Sequence, residues 1–252
     1  MKKSIFKYHE IITGLFTQVI EDKQNQAAIE NAAKIMAQSI LSDRLIFMCG
    51  TGGHSQMHTE ECFYRAGMLV QLCPMINTSN LLHGSNKSRI LERAEGYARG
   101  LLEEYDVKTN DVIIVVNAYG INHLAIEIAM EAKKKGLHVI GICSKEFGKA
   151  IPPEHPVRHK NAGNLADFCD LVIDCKMPQS EAVIDVKDCE QKVAPTSTLL
   201  NIFAIQILML ETVELIAEKD KPKIWRSLNL MGGDEYNAAF LKEYGLRIKY
   251  LL

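Results

Sequence analysis

The stretch LIFMCGTGGHSQMHTEECFYRAG (residues 45–67) places two histidines and two glutamates directly behind a glycine-rich turn. His54 and His58 are four residues apart and Glu61 lies a further turn along, so the three share one face if the segment is helical. Such a face could ligate a metal, but the zinc-protease pattern wants Glu directly after the first His, and Ser55 stands there. A dinucleotide wants G-x-G-x-x-G and an acid about 20 residues on. Gly50 and Gly52 fit, Ser55 replaces the third glycine, and PMINTSN after the next apolar run carries no acid. Phosphate fits best. Gly50, Thr51, Gly52, Gly53, His54 and Ser55 offer free backbone N–H groups at a helix N-terminus, where the helix dipole favours an anion. Thr51 and Ser55 add hydroxyls, and Ser55 is a sound N-cap. The plain structural reading stays open: His54 lines the loop and His58 lies on a polar helix face.

Two more openings carry donors. NAYGIN follows an apolar run and offers Asn117, Tyr119, Gly120 and Asn122, while APTST offers Thr196, Ser197 and Thr198 at the start of a long apolar segment. Together with the first loop they could converge on one pocket.

Convergence requires a scaffold. Residues 4–41 read as two helices with a polar break near EDKQNQ. The apolar runs 44–49, 68–73, 111–116, 137–143 and 170–174 then alternate with helical segments, which are expected from about Ser55, over 86–105, after Asn122 and over 195–219. Continuous apolar strands alternating with amphipathic helices imply an α/β fold, a parallel sheet covered on both faces. Ligands of such sheets bind beyond the carboxyl ends of the strands. No linker marks a second domain, so one domain over 1–252 is expected: helical 1–43, core 44–219 and a C-terminal segment 220–252.

The net charge of −2 gives no basic excess for nucleic acid or a membrane surface. Leu199–Leu210, the longest apolar stretch, is interrupted by Asn201 and Gln206 and is too short to span a bilayer. The lysines at the N-terminus precede no long apolar core. Seven cysteines without a C-x-x-C pair read as reduced core residues of a cytoplasmic protein. The apolar girth of 195–219 implies burial between layers or between subunits, so at least a homodimer is expected.

These residues resemble the sugar isomerase (SIS) domain, and within it an uncharacterised subgroup that is labelled as phosphosugar or phosphoheptose isomerases. The resemblance is carried by GTGGHSQMHTEECFYRAG, LHGSNKS with LERAEGYA, INHLAIEIAMEAKKKGLHVIGICS, APTST and NLMGGDEYNAAFL, which span nearly the whole chain. It implies a five-stranded αβα sandwich of flavodoxin-like order that binds a sugar phosphate, with active sites near a subunit interface. The second loop of the family is usually S-x-S-G. Here it reads Asn117-Ala118-Tyr119-Gly120, so both serines are replaced, and Tyr119 is bulky where a small hydroxyl is usual.

Aldose–ketose isomerisation moves a proton between adjacent carbons through an enediol, and needs a base near the carbons and an acid for the oxygens. Glu60 and Glu61 are the leading bases, with His83 and His54 as further acid or ring-opening candidates and His159 a weaker one. Asp234 and Glu235 open the last helix. No cofactor or resident metal is called for. A non-catalytic phosphosugar-binding or sensing module, and a sugar-phosphate lyase, deaminase or metal-dependent hydrolase, are the competing functions.

Overall fold

The computed structural model describes residues 2–252. The break expected near EDKQNQ falls at Asp22, between α1 (Lys3–Glu21) and α2 (Lys23–Leu41). The Asp22 carboxylate accepts the N–H groups of Gln24 (2.7 Å) and Asn25 (3.2 Å) and caps α2. Its bond to Lys176 and these backbone N–H groups hold its carboxyl down to about 2. The buried Asn25 amide then donates to the Asp174 carbonyl (2.8 Å) and accepts the Asp174 N–H (2.8 Å). That pair satisfies the outward backbone groups of Asp174 at the sheet edge and ties the helical pair to the core.

The core runs β1 (Ile46–Gly50), α3 (Gly53–Cys62), β2 (Leu72–Pro74), α4 (Ser85–Leu91), α5 (Tyr97–Glu103), β3 (Val112–Val116), α6 (His123–Lys134), β4 (His138–Cys143), α7 (Lys145–Ala150) and β5 (Leu171–Asp174). The five strands form one parallel sheet in the order β2-β1-β3-β4-β5, the flavodoxin-like order. All of β3 is solvent-free, as its unbroken VIIVV run requires of a central parallel strand. The strand order reverses between β1 and β3, so the switch point lies at the carboxyl ends of these strands, above Gly50 and Val116.

A short antiparallel hairpin, β6 (Ala182–Ile184) with β7 (Val193–Pro195), precedes α8 (Ser197–Ala217), and α9 (Gly233–Tyr244) follows. An 18-residue window of the 21-residue α8 has mean hydropathy 1.8, and the helix is long and apolar enough by length and composition to cross a membrane. Here it lies along α2 and buries Leu200, Ala204, Ile205 and Leu208.

Three local expectations change. The second strand starts at Leu72 rather than 68, because Leu69 bridges Ile224 and Val70 donates to Lys223 (3.0 Å), so this stretch pairs with the C-terminal segment. The helix expected over 86–105 is two helices. Gly96 turns left-handed (φ +76°) and gives its N–H to Glu127 (2.8 Å), which frees residues 92–96 from helical geometry. The segment after Asp174 folds as the hairpin, for which the sequence offered no periodicity.

Candidate active site

At the end of β1 the chain turns so sharply that a Cβ on Gly50 would lie 2.0 Å from the Ser55 carbonyl oxygen. Only glycine fits that approach. Thr59 accepts the Gly50 N–H through its hydroxyl (2.9 Å), and the buried Gln56 side chain donates back to the Gly50 carbonyl. The N-cap of α3 is Gly52, not Ser55. Ser55 is buried in the first turn, and no side chain of the cap residue satisfies the helix start.

That office falls to Glu92, which sequence reasoning missed. One Glu92 carboxylate oxygen accepts the Gly53 N–H (3.0 Å) and the Ser88 hydroxyl (3.3 Å), and the other accepts the Asn122 amide (3.2 Å). The Glu92 carbonyl also accepts the Leu124 N–H (3.0 Å) at the start of α6. A carboxylate therefore already occupies the positive end of α3, the place a phosphate would favour.

The two strand-end loops are joined directly. Thr51 donates its N–H to Val116 (3.2 Å), and the Asn117 amide donates to the Thr51 hydroxyl (3.2 Å) while accepting the Gly120 N–H (2.9 Å). Both side chains are buried, so these donors fasten the loops together instead of facing outward. Tyr119 packs edge-on against Phe147, 4.7 Å between ring centres, and its hydroxyl hydrogen-bonds Glu181. Burial and the neighbouring carboxylate raise the Tyr119 phenol well above its usual range. Glu181 also accepts the Ser197 hydroxyl (2.7 Å) on its carboxylate and the Thr196 hydroxyl (2.8 Å) on its carbonyl. The third opening thus reaches the second through Glu181, the other residue that sequence reasoning missed.

His58 links α3 to α8. It is buried, not on a polar face. Its Nδ1 donates to the Ser55 carbonyl (3.1 Å), and that acceptor fixes the tautomer. Nε2 turns toward the backbone of Thr198 without a well-formed hydrogen bond. Burial lowers the imidazole to about 4, so it is neutral near pH 7.

The remaining candidates lie apart from this junction. His54 is exposed in the first turn of α3, and Glu60 is exposed near its far end. Glu61 pairs with Arg65 (3.0 Å), so it joins neither histidine. Among the described residues no group of three His, Cys, Asp or Glu side chains is arranged to hold a metal. His83 is exposed in a single turn over Leu82–Gly84. His159 is buried, 3.7 Å from Glu127 behind the second loop. Asp234 and Glu235 occupy the first turn of α9, after Gly232 in the left-handed conformation (φ +74°).

The strand order, the glycine turn opening α3 and helical segments on both sheet faces together define a flavodoxin-like αβα fold. The chain belongs to the SIS domain family, whose sequence profile matches residues 7–144. Relatives over nearly the full length are UPF0309 proteins. That of Shouchella clausii is 33% identical over 248 residues, 97% of this chain and 98% of the relative. That of Halalkalibacterium halodurans is 33% identical over 249 residues, 98% and 97% of the two chains. Among solved structures, a phosphoheptose isomerase from Francisella tularensis superposes with TM-score 0.52 at 13% identity, over 87% of this chain and all (100%) of that one. Phosphoheptose isomerase from Neisseria gonorrhoeae gives 0.50 at 16% identity, over 83% and 98%. At such identities the likeness is one of fold.

Proposed function

We propose that this protein binds a phosphorylated sugar at the β1/β3 crevice and interconverts its aldose and ketose forms, with Glu92 as the proton-transferring carboxylate. In this reaction the base takes the proton from C2 of the open-chain aldose, and the C2–H electrons form the carbon–carbon double bond of an enediol as the carbonyl oxygen gains a proton. Returning a proton to C1 and withdrawing one from the C2 hydroxyl completes the ketose. One observation carries the assignment to Glu92: its carboxylate is held by Gly53 and Asn122 at the junction of the two strand-end loops. Glu60 and Glu61, the bases suggested by sequence, lack such support on the outer part of α3.

Carboxylates accept hydrogen bonds and sugar hydroxyls donate them, so Glu92 and Glu181 suit the hydroxyl-bearing part of the ligand. Two unit negative charges about 4 Å apart repel by about 4 kcal/mol at the effective dielectric of a protein surface. That penalty disfavours a phosphate directly against Glu92. The Asn-Ala-Tyr-Gly loop, with its donors turned inward, favours a second reading, a phosphosugar-binding module without turnover.

A thermal-shift panel of aldose and ketose phosphates, each beside its unphosphorylated sugar, tests binding, because a ligand of the folded state raises its melting temperature. A shift specific to phosphorylated sugars is expected, and no shift with any of them overturns the reading.

A further inference from the structure

LHGSNKS, residues 82–88, packs directly on the glycine turn. A Cβ on Gly53 would stand 2.7 Å from Leu82 and 3.0 Å from the Ser88 hydroxyl oxygen. Ser88 is 2% exposed and lies one helical turn before Glu92. Its hydroxyl faces three oxygens: Glu92 Oε1 (3.3 Å), the Asn80 side-chain oxygen (2.6 Å) and the Asn80 main-chain carbonyl (3.0 Å). A hydroxyl has one proton to give, so these acceptors compete. Charge decides between them. A hydrogen bond to an ionised carboxylate is about twice as strong as one between neutral groups. Once the carboxyl is neutral that advantage is gone, and the short contact to Asn80 is the better one.

Asn80 is fully buried (0% exposed), yet its amide nitrogen has no hydrogen-bond partner. A buried donor left unpaired is destabilising, and the bond from Ser88 is the one polar contact that the Asn80 side chain makes among the described residues. The other partners of Glu92, the Gly53 N–H and the Asn122 amide, are N–H donors that carry no alternative acceptor role.

We infer that Ser88 is a positioning residue whose hydroxyl follows the charge of Glu92, donating to Oε1 while the carboxylate is ionised and turning to Asn80 once Glu92 holds the substrate proton. This rests on Glu92 as the base of the proposed reaction and adds what supports it in both protonation states. The proton from C2 of the sugar goes to Oε2, the oxygen that faces Asn122, and later to C1. The Ser88 proton changes acceptor only and never leaves its oxygen. Ser88 therefore favours the ionised carboxylate, and Asn80, by competing for the same proton, opposes it. The titratable side chains on the elements that Glu92 joins are His54 on α3, His123 on α6 and Tyr119 on the second loop, with Arg89 and Arg93 on its own segment. None of them bonds to Ser88 or Asn80, and all are common to the proteins compared below.

The test is a double-variant cycle on the full chain, with glutamates isotope-labelled at the carboxyl carbon. Wild type, Ser88→Ala, Asn80→Leu and the variant carrying both changes are titrated by NMR, and the Glu92 signal is identified by its loss in Glu92→Gln. The titration should move to higher pH in Ser88→Ala, which loses a donor to the ionised form, and to lower pH in Asn80→Leu, which frees that donor. The double variant should superpose on Ser88→Ala, because Asn80 acts only through the hydroxyl. With the sugar phosphate that gives the largest thermal shift, Ser88→Ala should lower kcat about tenfold with KM near wild type. If the leucine does not fold, Asn80→Ala takes its place. Movement of both single variants in one direction, movement in neither, or an Asn80 effect that persists without Ser88 overturns the relay and leaves the sugar-phosphate reading standing. Deuterium exchange by Glu92→Gln at the wild-type rate removes the base, and the relay falls with it.

Discussion

His58 makes the core beneath the site sensitive to acid, by an amount that follows from its burial. Its side chain is 1% exposed, and its pKa falls from 6.5 to about 4 on folding. The unfolded chain therefore binds a proton that the folded chain refuses between those values. Stability rises with pH across that window and is lost as pH falls through it. At pH 7 the contribution is near zero. At pH 5 the ratio of the two binding terms is about 30, a loss of about 2 kcal/mol, approaching about 3 kcal/mol near pH 4. For a chain of this size each kcal/mol moves the melting temperature by about 2–4 °C. Chemical denaturation of wild type and His58→Asn at pH 7.5, 6 and 5 isolates the effect, because other titrating groups are common to both. Wild type should lose about 2 kcal/mol more than the variant between pH 7.5 and 5. Parallel pH dependence in the two proteins would refute the claim that this imidazole is buried and neutral.

Other changes act on the scaffold. Asn25→Ala removes the paired bonds to Asp174 and should cost about 2–4 kcal/mol in urea unfolding, whereas a cost under about 0.5 kcal/mol would show that the helical pair is not anchored there. Gly50→Ala places its Cβ 2.0 Å from a backbone oxygen and should destabilise by at least about 3 kcal/mol, read as loss of soluble folded protein or a lowered melting temperature. Tyr119→Phe leaves the Glu181 carboxylate one donor short and should cost about 1–2 kcal/mol, read by the same denaturation. Leu199 (44% exposed) and Leu210 (60%) lie on the outer side of α8, and light scattering at micromolar concentration should report at least a dimer, against which a monodisperse monomer would count.

The sheet was legible because its strands are uninterrupted apolar runs, and burial on both faces allows little else. The glycine turn was legible too, since a strand end followed by GTGG announces a close backbone approach. Glu92 was not. It fell inside a stretch whose charges looked like the solvated face of one helix, and only the left-handed Gly96 reveals that this helix breaks and turns the carboxylate back toward Gly53. Glu181 lay in a segment without periodicity, and its partner Tyr119 stands 62 residues away along the chain. The burial of His58 was not legible, because a buried histidine and an exposed one share the same helical spacing. What separates them is α8, more than 130 residues away along the chain.

The claim on which the account depends is that Glu92 moves a proton on a sugar phosphate. Wild type and Glu92→Gln are each incubated in heavy water with the sugar phosphate that gives the largest thermal shift, and deuterium at C2 is followed by proton NMR. The account predicts exchange and isomerisation by wild type, and a slowing of about 10²- to 10⁴-fold in a variant that still folds and binds. Exchange at the wild-type rate by Glu92→Gln, or none by wild type with bound ligand, would contradict it.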